Sequence, residues 1–101
     1  MNTVIALMSA LSDPTRLGAL LLLADGKERC VCKLMEHLNA TQSRMSRHMG
    51  VLKQAGLVVD RRDAQWVRYR LNPALPPSTK AIIKAVVAAA AASEDIEGKV
   101  A

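Results

Sequence analysis

Cys30 and Cys32 are the only cysteines in the chain, and a single residue, Val31, separates them. The thiolate is the form that attacks and ligates, and nearby cations or a helix N-terminus favour it. Arg29 and Lys33 flank the pair, so both sulfurs are candidate ligands, and thiolates select soft, thiophilic ions. The plain alternative is packing, because a free cysteine behaves as a small hydrophobe and is commonly buried. Met1-Asn2-Thr3-Val4 lacks the basic start of an export signal. The longest apolar runs, Leu17 to Ala24 and Ala85 to Ala92, are far too short to span a bilayer. A cytoplasmic chain with no membrane partner is therefore expected, its thiols reduced rather than joined as a staple. A redox pair is the remaining thiol chemistry, although cysteines two apart make a geometrically poor disulfide.

A second group of residues suits a polyanion. Gln42, Ser43, Arg44, Ser46, Arg47 and His48 cluster within seven positions. Gln pairs bidentately with adenine, Arg with guanine, and Ser with bases or phosphate. Gln42, Ser43, Ser46 and Arg47 are the candidate base readers; Arg44 and His48 suit phosphate or a helix face. His48 reads also as a histidine satisfied beside the core. Arg61, Arg62 and Gln65 would touch backbone or minor groove, adding affinity more than sequence choice. Arg68 and Arg70 fit either that role or a solvated strand face. The formal net charge is +5, and between Arg44 and Arg70 seven Lys/Arg meet only Asp60 and Asp63. The whole excess thus lies in about a quarter of the chain, the electrostatic footprint of a nucleic-acid partner.

Catalysis finds no foothold. There is no Gly-rich phosphate loop and no H-E-x-x-H, and neither histidine, His37 or His48, stands beside a nucleophile. No catalytic residue and no catalytic cofactor is expected; His37 falls on the polar side of a short helix.

The elements that must carry these groups follow from periodicity. Val4, Ile5, Leu7, Met8 and Leu11 mark a helix over 2–11. Ser12 or Asp13 can cap the next one, Pro14 suits its first turn, and Arg16 to Ala24 is apolar nearly all round. Asp25-Gly26 ends it. Cys30 to Leu38 reads as a short helix and Asn39-Ala40 as a turn. Thr41 caps a longer helix to Ala55, with Gly56 as a left-handed stop. Met45, Met49 and Leu52 of that helix face the shorter one. Leu57 to Val59 and Trp66 to Leu71 form a hairpin with Arg61 and Arg62 at its tip. Prolines at 73, 76 and 77 stiffen a connector, and Thr79 to Ala92 is a final helix, followed by an acidic tail (Glu94, Asp95, Glu97) expected to fray.

The fold class is thus mainly α with a β-hairpin wing (α+β). It is one winged helix-turn-helix domain over 1–101, with the helix-turn-helix at 30–56 and the wing at 57–71. Half the residues are hydrophobic, yet aromatics are 2% and Phe is absent, a marginal core for so short a chain. Pairing helices 1–11 and 79–92 of two copies would bury their surplus apolar faces and present two reading helices to a palindrome. A homodimer on double-stranded operator DNA is therefore expected.

Four stretches carry a family resemblance: Asp13-Pro14-Thr15-Arg16-Leu17-Gly18, Cys30-Val31-Cys32-Lys33-Leu34, Ser43-Arg44-Met45-Ser46-Arg47-His48-Met49, and Gln65-Trp66-Val67-Arg68-Tyr69-Arg70-Leu71. In order and spacing they resemble the ArsR/SmtB repressors, in particular the arsenical-resistance branch with its E-L-C-V-C-D-L-C box. The resemblance implies a dimeric winged-helix repressor that leaves its operator when trivalent arsenic or antimony binds the box. It assigns Cys30 and Cys32 to the first two ligand positions. Met35 stands at the third, so three thiolates are excluded there. Either two suffice, with solvent or an exogenous thiol as third ligand, or the inducer differs. Arg29 and Lys33 replace a neutral and an acidic residue of the box. The last helix lacks the His/Asp cluster of zinc-sensing relatives, and two thiolates fall short of a closed zinc site. Other soft-metal sensing and thiol redox sensing are the alternatives. Because residues i and i+2 of a helix point to different sides, an ion held by both sulfurs is expected to unwind the helix start.

Overall fold

The computed structural model describes residues 2–100, with side chains described for residues 3–93. Asn2–Leu11 forms α1 and Pro14–Leu23 forms α2. Asp13 caps α2, its carboxylate accepting from the backbone N–H groups of Thr15 and Arg16 at 2.9 and 3.0 Å. Pro14 at the first helical position supplies a fixed φ and no orphan donor. Ala19, Leu20 and Leu23 of α2 are fully buried, as an all-round apolar helix requires. Arg16 ties three helices together: its Nε donates to the carbonyl of Ala10 at the end of α1, and a guanidinium nitrogen meets His48.

The chain then enters a strand that periodicity did not reveal, β1 at Arg29–Cys30, followed by α3 at Val31–Leu38 and α4 at Gln42–Gln54. Asn39 closes α3 in the left-handed region (φ 51°) and Thr41 Oγ1 accepts from the N–H of Arg44 at the start of α4. Gly56 follows α4 at φ +79°, the left-handed stop expected there. Gly18 lets α2 and α3 approach closely, since a Cβ at that position would stand 2.7 Å from Leu38. Met45, Met49 and Leu52 of α4 are fully buried in one core cluster with Leu20, Leu23, Val31 and Leu34. With no Phe available, methionine and leucine fill the centre, and Tyr69 is the buried aromatic residue.

Val58–Asp63 is β2 and Trp66–Leu71 is β3. The sheet order is β1-β3-β2, all antiparallel. β2 runs four residues beyond the expected Val59, pairing Arg61 with Arg68 and Arg62 with Val67. Arg61 and Arg62 are therefore strand residues, a correction to their expected place at the tip. The tip is Ala64-Gln65, a two-residue turn in which Ala64 adopts φ 56°, because tight hairpins demand positive φ to match strand twist. The strand extends because cross-strand pairs, including Asp63 with Arg68 at 2.7 Å, outweigh the polar composition that marked it as loop. Pro77–Val100 forms α5, starting inside the expected connector because proline tolerates a helix's first turn. The acidic segment expected to fray, Glu94, Asp95 and Glu97, falls outside the residues whose side chains are described.

α1 leaves Val4, Ile5 and Met8 exposed at 49, 59 and 46%. Among the described residues no single helix is long and apolar enough to cross a membrane.

Candidate functional site

The two cysteines straddle an element boundary. Cys30 ends β1 with extended backbone (φ −65°, ψ 143°) and is the N-cap of α3; Cys32 lies in that helix's first turn. The N–H of Cys32 donates to Cys30 Sγ at 3.2 Å, and the Cα atoms are 5.1 Å apart. The sulfurs converge and are joined as a disulfide. One expectation is corrected here: the sulfurs do not diverge as helical i and i+2 residues do, because Cys30 is not helical. No unwinding of α3 is needed to bring both sulfurs onto one atom.

Cys30 is buried and Cys32 half-buried, and both border an open cavity of about 390 Å³ whose other walls are Glu28, Arg29, Lys33, Trp66 and Arg68. Met35 instead packs against the core. Among the described residues no group of three His, Cys, Asp or Glu is placed to hold a metal ion.

The pair is wired into the hairpin. Cys30 pairs with Arg68 and Arg29 with Tyr69 across β1 and β3. Just before β1, Glu28 accepts two hydrogen bonds from Arg61 of β2 at 2.7 and 2.8 Å. That contact holds the Glu28 carboxyl below the usual carboxylate range and pushes the Arg61 guanidinium up. Arg68 likewise holds the Asp63 carboxyl down. Arg61, named as a DNA contact, is thus already engaged by an acid. Glu28 carried no signal in the sequence, since its partner lies 33 residues away and only the β1-β3-β2 sheet brings them together.

The basic helix divides as its sequence suggests. Gln42, Ser43, Arg44, Ser46 and Arg47 are exposed on α4, opposite its buried methionines. His48 is different: its side chain is 13% exposed, and Nδ1 accepts from Arg16 at 3.1 Å with Asp13 at 3.9 Å. His48 sits as a satisfied histidine at the α2–α4 junction. Arg62 and Gln65 are exposed on the hairpin. Arg44, Arg47 and Arg62 make no ion pair among the described residues, whereas Lys53, Arg61 and Arg68 are each paired with an acid.

The family described as "Bacterial regulatory protein, arsR family" matches residues 13–59. The arsenic resistance transcriptional regulator ArsR2 of Pseudomonas putida is 54% identical over 67 residues, 66% of this chain and 58% of that protein. The arsenical resistance operon repressor of Escherichia coli is 44% identical over 79 residues, 78% of this chain and 68% of that one. The chain thus spans about three-fifths to two-thirds of the length of these curated relatives. Among solved structures, HlyU from Vibrio cholerae superposes with a TM-score of 0.72 at 33% identity, covering 84% of this chain and 88% of that chain. A homodimeric winged helix-turn-helix DNA-binding domain from Mycobacterium bovis gives 0.72 at 28%, covering 96% and 84%.

Proposed function

The chain belongs to the arsR family of bacterial regulatory proteins, and on that footing we propose that it is a cytoplasmic, arsenite- or antimonite-responsive transcriptional repressor. It binds operator DNA as a homodimer and lets go when the trivalent metalloid bonds to reduced Cys30 and Cys32. The carrying observation is the convergence of the two sulfurs at the point where β1, α3 and the hairpin meet.

Gln42, Ser43, Ser46 and Arg47 of α4 read bases; Arg44, Arg62 and Gln65 hold backbone. Arg61 joins them only when Glu28 releases it, and His48 ties the middle of α4 to Arg16 of α2. That Arg44, Arg47 and Arg62 make no ion pair among the described residues supports this assignment, since counterion release rewards cations not already neutralised. The exposed Val4, Ile5 and Met8 support a dimer through α1. So does the apolar groove where Leu21 and Leu22 of α2 meet Val87, Ala90 and Ala91 of α5. A second copy covering both would remove that surface from water.

Release follows from geometry. Each thiol would displace one hydroxide from the metalloid as water, and one atom bridging both sulfurs would fix a spacing that the two reduced thiols otherwise leave free. Cys32 is fixed in α3, which packs on α4 and β3, so Cys30 and β1 yield. β1 is hydrogen-bonded to β3, and the displacement reaches the hairpin. A tenfold loss of operator affinity needs only about 1.4 kcal/mol of differential binding.

Titration of a fluorescent duplex, selected from a random pool by repeated binding, tests the proposal. Arsenite or antimonite added to the reduced protein should release the duplex, zinc should not, and Cys30→Ser and Cys32→Ser should bind DNA but ignore arsenite. Release that persists in both serine variants would defeat the reading. The disulfide itself favours a second one, thiol redox sensing. A mild disulfide oxidant would then change DNA affinity with no arsenite present, and arsenite would do nothing.

A further inference from the structure

The cysteine site is one ligand short. A trivalent metalloid forms three bonds, this chain supplies two thiols, and Met35 packs against the core and does not line the cavity. A cavity of about 390 Å³ opens on both cysteines, within the ~300–1,000 Å³ range of small-ligand clefts. Its charged walls are Arg29, Lys33 and Arg68 against Glu28 alone. The charge of Glu28 is already taken by Arg61. The acids that pair with the three cations, Asp25, Glu36 and Asp63, lie outside the lining. Lys33 is the least committed, 64% exposed and 3.8 Å from Glu36.

From the pairing of two cysteines that line the cavity with this cationic wall, we infer that the third ligand is a small, carboxylate-bearing thiol held in the cavity. The inference rests on the metalloid reading above and deepens it. The sulfur of the small thiol completes the coordination, and its carboxylates meet Lys33, the cation of the wall least held by an acid. Trp66 offers its apolar face to the carbon chain between them. The chemistry balances in two stages. Two small thiols first pass two electrons and two protons to the Cys30–Cys32 bond, leaving as their own disulfide. Arsenite, As(OH)3, then condenses with Cys30, Cys32 and one further small thiol. Three As–O bonds break, three As–S bonds form, and three waters leave, each carrying a thiol proton. Arsenic stays trivalent throughout. The effector is accordingly the metalloid together with the cell's anionic thiol, and a neutral or cationic thiol is a poorer partner.

Trp66, the single tryptophan, reports from the cavity wall. Arsenite is titrated into the reduced protein in equal concentrations of mercaptosuccinate, 2-mercaptoethanol or cysteamine, following Trp66 fluorescence and native mass. The wild type is compared with Lys33→Glu at each thiol, so that arsenic–thiol equilibria in bulk solution cancel from the ratio. In mercaptosuccinate the wild type should carry one arsenic and one retained small thiol. Its affinity advantage over Lys33→Glu should be roughly three- to tenfold, the scale of one or two partly exposed charge pairs. In cysteamine the advantage should invert. Arsenic bound with no retained thiol, or a wild-type-to-variant ratio equal in all three thiols, overturns this inference and leaves the metalloid reading standing. Failure to bind arsenite in any thiol overturns both.

Discussion

Cys30 stands opposite Arg68 across the β1–β3 pairing, so the thiol pair and the hairpin share a sheet. Glu28, two residues before Cys30, reaches across the same sheet to Arg61 of β2. Residues 28–30 thereby touch both strands of the hairpin, and in the proposed switch the route from sulfur to DNA runs through β1.

Removal of the Glu28 carboxylate should free Arg61. Glu28→Gln keeps the size and loses the charge, so Arg61 gains the option of a phosphate. The plot of log K against log salt for a nonspecific duplex should steepen by about 0.9, the contribution of one added phosphate contact. An unchanged slope would show that Arg61 does not reach DNA.

The α4 arginines should separate by kind. Arg47→Ala should cost about 1–3 kcal/mol on the selected duplex and relax its base preference, as expected for a lost bidentate base contact. Arg44→Ala should weaken all duplexes alike and shallow the salt slope by about one. Competition against single-base variants of the duplex distinguishes them.

Acid should weaken the hairpin. The carboxyls of Glu28, Asp63 and Asp13 are each held low, by hydrogen bonds from the side chains of Arg61 and Arg68 and from the backbone N–H of Arg16 respectively. Their folded values lie below those of the unfolded chain. Their stabilisation is therefore complete above the ordinary carboxylate value of about 4 and is lost as pH falls through the lower folded values. Double substitution Glu28→Gln and Asp63→Asn should lower the denaturant midpoint at neutral pH by a small amount, because both pairs are solvent-screened. At strongly acid pH the variant and the wild type should converge.

The apolar face of α1 should govern assembly. Ile5→Asp places a charge on a residue 59% exposed in the isolated chain, so the fold should tolerate it. Sedimentation should then report a monomer, and affinity for a two-half-site duplex should fall at least tenfold, or about 1.4 kcal/mol.

Much of this was legible in the residues. The Ser12-Asp13-Pro14 start of α2, the Met45/Met49/Leu52 stripe of α4 and the glycine stop at 56 are local signals, and each element lies where its signal put it. The wing was half legible. Val67, Tyr69 and Leu71 alternate, but Asp60 to Asp63 lack apolar alternation, and only cross-strand pairing makes them a strand. β1 was invisible because two residues carry no period. That omission mattered most: with Cys30 assigned to a helix, the sulfurs diverge and α3 must unwind, whereas with Cys30 on a strand they meet. The Glu28–Arg61 and Arg16–His48 contacts join residues 33 and 32 positions apart, beyond the reach of any local pattern.

The coupling of the cysteine pair to the hairpin is tested most directly by amide hydrogen exchange over residues 66–71, with and without saturating arsenite, on the reduced protein. Exchange should accelerate across β3 in the wild type and stay unchanged in Cys30→Ser, while the amides of α3 keep their protection. Unaltered exchange along β3, with α3 losing protection instead, would contradict the account.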